Sequence, residues 1–294
     1  YEVTVPVKYY TQVLSVLKDM LANSVFDRTE LEKEREVILK EIKLNEDDPE
    51  KRLVMRLFEN AYTSHPYKYP PIGYEKILKS LTRDDVVKYY NRRYVPNNMV
   101  IAVVGGINAK DAARSIENEF GRFRAPSYIP MNRGEKEPPQ IGKRVIEVEA
   151  PVALSYLALG FHSTGMLNKD LFALDVLSMI LGRGDNSRLN KLLLKDKKEV
   201  YSVSAWNYTP MDPGLFVITA LLSKDNIKAD GSCTVRRQIL NHFTMKGTRP
   251  GPYPVKRLKS FYCFFRDIKY YYVACVLGGL RVVTVSCVYC LFLK

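Results

Sequence analysis

Cysteine is missing from the first 232 residues of this 294-residue chain, and all five cysteines fall between Cys233 and Cys290. The front of the chain therefore needs no disulfide framework and gives no clue to redox compartment. Histidine is scarce: His65, His162 and His242 stand far apart, so no pair has metal-ligand spacing. No phosphate loop, dinucleotide fingerprint or serine-nucleophile elbow occurs, which removes the nucleotide-binding and serine-hydrolase classes. Acidic residues almost vanish late. From Lys228 onward there are 12 Lys or Arg against Asp230 and Asp267, whereas the preceding residues hold 33 basic and 30 acidic side chains. The formal net charge of +13 thus belongs mainly to the tail, and no nucleic-acid partner is expected. Cys287-x-x-Cys290 lacks a second ligand pair and sits in an apolar run, so it does not read as a zinc site. Residues 270–293 could span a bilayer by length, but Arg281 near the middle is costly there, so a membrane partner is not expected. Tyr1 already lies within a strand pattern, with no initiating Met and no leader, which fits a truncated start.

Alternation over Tyr1–Tyr9 predicts a strand, with Pro6 marking an edge or bulge. Val13, Leu14, Leu17 and Leu21 predict a helix over Tyr10–Ala22. Thr29 and Glu32 form a capping box opening a charged helix to about Asn45. Asp48-Pro49 starts another helix. Residues 65–74 read as a loop, Thr82 caps a helix to Tyr90, Met99–Val104 reads as a buried strand, and Asn108–Phe120 as a helix. Residues 126–143 form a Pro-, Gly- and Lys-rich linker. A second unit follows, with strands at 144–150, 153–161, 200–208 and 214–222. Its helices fall at 169–181 and about 187–195, with a glycine turn between them. After Ile227 the composition shifts, apolar periodicity collapses, and residues 228–294 read as a tail of foreign or out-of-frame character.

Glu34 and Glu41 are seven residues apart, two helical turns, so both carboxylates leave one side of their helix. They border an apolar stripe of Leu31, Ile38 and Ile42. A carboxylate so placed can ligate a metal, although Glu-rich helices more often present a solvated face. His65, beside Pro66, reads as a loop or packing residue. Arg183-Gly-Asp185 matches an adhesion tripeptide too short to carry meaning. Gly182 and Gly184 suit a turn where backbone must come close to something.

Several segments in one order resemble the insulinase, pitrilysin and processing-peptidase family of zinc peptidases, the inverzincins. They are Phe26–Ile42, His65-Pro-Tyr with Ile72-Gly73, Tyr94–Val100 with Val104-Gly105, Asn186-Ser-Arg-Leu189, and Val200–Val203 followed by Asp212–Phe216. The resemblance covers about residues 1–225 and implies an α+β fold like that of LuxS and the processing peptidases. It has two related units, each a mainly antiparallel sheet with helices packed on one side. Residues 1–125 would be the C-terminal part of the zinc-bearing domain, and 144–227 the N-terminal part of its homologue.

The family's H-x-x-E-H motif supplies two zinc-ligating histidines and a base, and a later glutamate is the third ligand. By register Glu41 matches that ligand, and Glu34 the acidic residue that supports catalysis. Tyr201 matches a tyrosine that helps bind the substrate, with Gly182 and Gly184 as further substrate-binding candidates. H-x-x-E-H itself is absent, and the resemblance places it before Tyr1. The implied function is a zinc metalloendopeptidase acting on peptides or unfolded polypeptides, this chain alone being inactive. The alternatives are a non-catalytic family subunit or, if the apolar tail is genuine, a membrane-anchored binding protein. The implied partner is a homo- or heterodimeric family subunit. The implied setting is bacterial cytoplasm or periplasm, or else the mitochondrion.

Overall fold

A computed structural model describes residues 1–123, 134–226, 233–243 and 272–278. The chain divides into two compact units, the first built on Tyr1–Ile42 and Pro71–Gly134, the second on Lys43–Pro70 and the described part of Glu135–Thr284.

The regular structure described in the first unit is helical: α1 (Tyr10–Ala22), most of α2 (Arg28–Asp47), α4 (Glu75–Ser80), α5 (Arg83–Arg93) and α6 (Ala109–Phe120). Leu14 of α1 and Ala112 of α6 are buried, and the Tyr10 hydroxyl donates to the Ala112 carbonyl at 3.2 Å. Thr82 caps α5 as expected, and Asp85 accepts in return from the Thr82 backbone N–H, which makes the cap reciprocal. The start of α2 differs from expectation. Asp27, not Thr29, accepts from the backbone of Thr29 and Glu30 at 2.9 and 3.1 Å, because it is Asp27 that stands at the cap position. Just before it Phe26 adopts φ 50°, held by Arg83, whose guanidinium donates to the Phe26 and Val25 carbonyls.

Two expected strands are not formed. Residues 1–6 are irregular and lead into a 3-10 turn at Val7–Tyr9, and Met99–Val104 has no regular structure, with Val100 and Val104 almost fully exposed. A strand needs a neighbour to take its N–H and C=O groups. No described residue lies beside either segment in a ladder, so the period-two pattern has nothing to pair with.

The second unit carries a five-stranded sheet from β1 (Arg144–Val152), β2 (Ser155–His162), β3 (Val200–Tyr208), β4 (Leu215–Leu222) and β5 (Tyr272–Gly278), in the order β1-β5-β2-β4-β3. All pairings are antiparallel except β1 with β5. Successive residues of β2 serve opposite faces. Leu157, Leu159 and Phe161 join a core with Leu174 and Leu181 of α7 (Leu171–Gly182) and with Val235 and Ile239 of α8 (Thr234–Phe243). Ala158 joins Leu53, Leu57 and Ala61 of α3 (Pro49–Ala61), which starts at the Asp48 cap as expected. Gly160 lets α3 approach, since a Cβ there would sit 3.1 Å from Leu57 Cδ1.

Helices therefore cover both faces of this sheet rather than one. The second cover, α3, is drawn from sequence ahead of the linker, where strand order gave no hint of it. The tail also differs from its expected lack of period, because Val235 and Ile239 are one turn apart and fully buried. Tyr272–Gly278, within the apolar run, forms a strand, and no described helix is long and apolar enough to cross a membrane. Residues 124–133, which take in much of the linker, and Cys287-x-x-Cys290 lie outside the described residues.

Candidate functional site

On α2 the apolar stripe has a fourth member. Leu31, Arg35, Ile38 and Ile42 follow one another at helical spacing, and Arg35 turns its guanidinium to the Leu78 and Leu81 carbonyls at 2.6 and 2.8 Å. Those are the end of α4, whose last carbonyls lack helical partners. Arg35 also pairs with Glu32 at 3.0 Å. The stripe thus faces protein, while Glu34 and Glu41 beside it are exposed. Among the described residues no group of three His, Cys, Asp or Glu could hold a metal ion. A catalytic zinc takes three protein ligands, so the side chains described do not form a zinc site by themselves.

In the second unit the substrate-binding candidates occupy one connected stretch. Gly182 ends α7 where the helix meets β3. A Cβ there would lie 2.2 Å from Ala205 N and 2.6 Å from Ser204 C, so only glycine permits the contact. Gly184 sits at φ 80°, the left-handed region, with open space around it. Asn190 binds this turn to the sheet. Its buried side-chain amide donates to Ser187 Oγ at 2.7 Å and reaches the carbonyls of Gly184 and Val203, each at 3.3 Å. Residues Asn190–Asp196, expected as an ordinary helix, form a π-helical segment.

Across β3 the pairing with β4 slips between Val200 and Ser202, leaving Tyr201 as the unpaired extra residue. A bulge of this kind re-aims a side chain, and bulges and π-helical turns both concentrate at functional sites. Tyr201 is 60% exposed.

Sequence reasoning missed a second cluster in the same unit. The Glu137 carboxylate accepts from the backbone N–H of Thr63, Ser64 and His65 and from the Thr63 hydroxyl, at 2.7–3.0 Å. Burial raises its pKa, but these four donors outweigh burial and hold it down at about 2. His65 is buried as a packing residue, as read. Its Nδ1 accepts from Tyr67 N at 3.2 Å and its Nε2 lies 3.5 Å from an Asp212 carboxylate oxygen. Tyr62 meets Tyr67 and His162 edge-on, Tyr67 meets His65 in the same way, and burial pushes the His162 pKa down. No sequence signal marks Glu137, which lies among Lys and Pro. Asn190 could have been flagged as a polar residue inside the run Leu189–Leu194.

Comparison with known proteins adds the following. The family described as insulinase (peptidase family M16) matches residues 1–73, and the one described as peptidase M16 inactive domain matches residues 80–246, beyond Ile227. A Bacillus subtilis (strain 168) protein named uncharacterized zinc protease YmxG is 30% identical over 218 residues, 71% of this chain and 52% of the relative. An Arabidopsis thaliana protein named probable mitochondrial-processing peptidase subunit beta is 25% identical, over 73% of this chain and 42% of its own. The crystal structure of a protease from Helicobacter pylori superposes with a TM-score of 0.76 at 26% identity, covering 89% of this chain and 62% of that one. The chain spans about half the length of the curated relatives it matches.

Proposed function

The chain belongs to the insulinase family of peptidases, family M16, and from that premise we propose that it is part of a zinc-dependent metalloendopeptidase, to which it contributes Glu41 as one zinc ligand. The observation that supports this is the exposed pair Glu34 and Glu41, two turns apart on one side of α2, at positions whose register resembles that of the family's ligand helix. The remaining ligands, the H-x-x-E-H histidines, come from a segment outside these 294 residues. When bound, zinc activates a water toward a peptide carbonyl. Glu34 supports the site, and Tyr201 with the Gly182–Gly184 turn orients the peptide or unfolded-polypeptide substrate. The segments 1–125 and 144–227, joined by 126–143, serve as parts of two homologous domains. The partner is a second family subunit, and the setting is bacterial cytoplasm or periplasm, with the mitochondrion as the alternative.

A second reading, a non-catalytic subunit, is favoured by the match over residues 80–246 to the inactive-domain family. One experiment separates the two. In an enzyme completed with an H-x-x-E-H segment, Glu41→Gln should strip zinc and abolish cleavage of a quenched peptide. Glu34→Gln should keep part of the zinc while lowering affinity or rate by about 10–100-fold. Full zinc and full activity in Glu41→Gln would remove Glu41 from the site.

A further inference from the structure

A cleft of about 450 Å³ opens to solvent in the first unit, between the first turns of α2 and the segment Leu81–Asp84 that starts α5. That volume is in the range of small-ligand sites. Its α2 residues are Arg28, Leu31, Glu32 and Arg35. At 100° per residue they span about 100° of the helix, centred about 120° from Glu34 and Glu41. The cleft is thus separate from that carboxylate pair.

Three guanidiniums border it, and they are not equally engaged. Arg35 forks onto Glu32 through Nε and Nη2 at 3.0 and 3.1 Å and gives Nη1 to the Leu78 and Leu81 carbonyls. That pairing also neutralises Glu32. Arg83 gives Nε and Nη2 to the Phe26 and Val25 carbonyls, which leaves Nη1 uncommitted. Arg28 is exposed and has no hydrogen-bond or ion-pair partner among the described residues. Within the cleft, two open guanidiniums against the one carboxylate of Asp84 leave a single positive charge to be met. Leu31 and Leu81 add apolar surface beside them.

We propose that this cleft binds the C-terminal carboxylate of a peptide whose last side chain is apolar. A carboxylate carries the single negative charge that the cleft lacks, and the planar arginine fork matches its two oxygens. Leu31 and Leu81 take the last side chain. Asp84, which can only accept hydrogen bonds, takes the N–H of the last peptide bond. A phosphate dianion would bring a second negative charge with nothing to meet it, and a fatty acid would offer Asp84 no donor. The open side of the cleft lets the rest of the peptide leave. This inference does not depend on the peptidase reading.

The test uses the full 294-residue chain at low salt, where exposed charge pairs are least screened. Titration calorimetry with an N-acetylated tripeptide ending in leucine should show one site per chain. The same peptide with a C-terminal amide should bind at least about tenfold more weakly, through loss of its charge-assisted pairing. Since Arg28 holds no other group, Arg28→Gln should keep the native circular dichroism and lose affinity by the same factor. Arg28→Glu should abolish binding. Equal affinity for acid and amide overturns the proposal, as does native affinity in Arg28→Gln or no binding at millimolar peptide. Inorganic phosphate or octanoate binding as tightly as the peptide overturns it too, because the cleft then reads charge alone or an acyl chain.

Discussion

Gly182→Ala asks whether that glycine is required by packing. The added methyl would lie 2.2 Å from Ala205 N, 2.6 Å from Ser204 C and 2.8 Å from Ala205 Cβ. Carbon seldom approaches non-bonded atoms closer than about 3.4 Å, so α7 and β3 must separate by roughly 1 Å at a point where both are backbone. Overpacking of this kind costs about 1–3 kcal/mol, and the absence of a flexible side chain to yield puts this case at the upper end. For a unit of this size about 3 kcal/mol lowers Tm by roughly 6–12 °C. The chain has a single tryptophan, Trp206, next to Ala205, so its fluorescence reports unfolding at the strained contact. Gly184 is the control. No atom lies within 4 Å of the place a methyl would take there, but φ is 80°. Gly184→Ala should cost about 1–2 kcal/mol from left-handed strain alone, and Gly184→Asn less, because Asn tolerates that conformation. If Gly182→Ala unfolds at the native denaturant midpoint, the close approach of α7 to β3 is wrong.

Leu57→Ala should destabilise the second unit by about 3–5 kcal/mol, because Leu57 is fully buried against Gly160, which has no side chain to fill the cavity. Urea titration reads this directly, and a loss under about 1 kcal/mol would mean that α3 does not seal that face. Glu137→Gln should expose the amides of Ser64 and His65 to faster hydrogen exchange. In the native chain the Glu137 pKa is held at about 2, below its ordinary 4.5, so its docking stabilises the fold above pH 4.5 and is lost as pH falls toward 2. The carboxylate is only partly buried, so solvent screening keeps the effect on global stability small. Amide exchange that is already fast at neutral pH and unchanged by the substitution would contradict the clamp.

What the sequence made legible follows from how local the cause was. The strands at 144–150, 153–161, 200–208 and 214–222 are found within a residue or two of their expected limits, as β1–β4. Their β-branched and aromatic runs are bounded by turns such as Pro210–Gly214, and β2, β3 and β4 find partners within the same stretch of chain, whereas β1 pairs with β5 outside it. The caps Asp48 and Thr82 are local in the same sense and stand as read. The alternation at Tyr1–Tyr9 and the run at Met99–Val104 are equally clear as patterns. A pattern states which face a strand would bury, not whether a neighbouring strand is present to pair with it. The π-helical form of Asn190–Asp196 was hidden because Leu192, Leu193 and Leu194 satisfy any helical period.

The candidate site divides along the same line. Glu34, Glu41 and Tyr201 are proposed from register, and Gly182 and Gly184 from their turn; register identifies positions without stating what each side chain meets. The groups that hold them in place act over longer spans. Arg35 reaches 43 residues along the chain to Leu78 O, and Asn190 reaches 13 to Val203 O. In both cases a polar side chain occupies a position that the apolar pattern assigns to the core. A buried polar group is tolerated only when its hydrogen bonds are met, so each such interruption implies an unseen acceptor. For Arg35 that acceptor is the end of α4, a six-residue helix too short to announce itself. Fixing Arg35 there leaves one orientation of α2 in which the stripe is covered, and that orientation is the one that turns Glu34 and Glu41 outward. The contact of Arg35 with the end of α4 is thus one of the groups that set the orientation in which the two glutamates face outward.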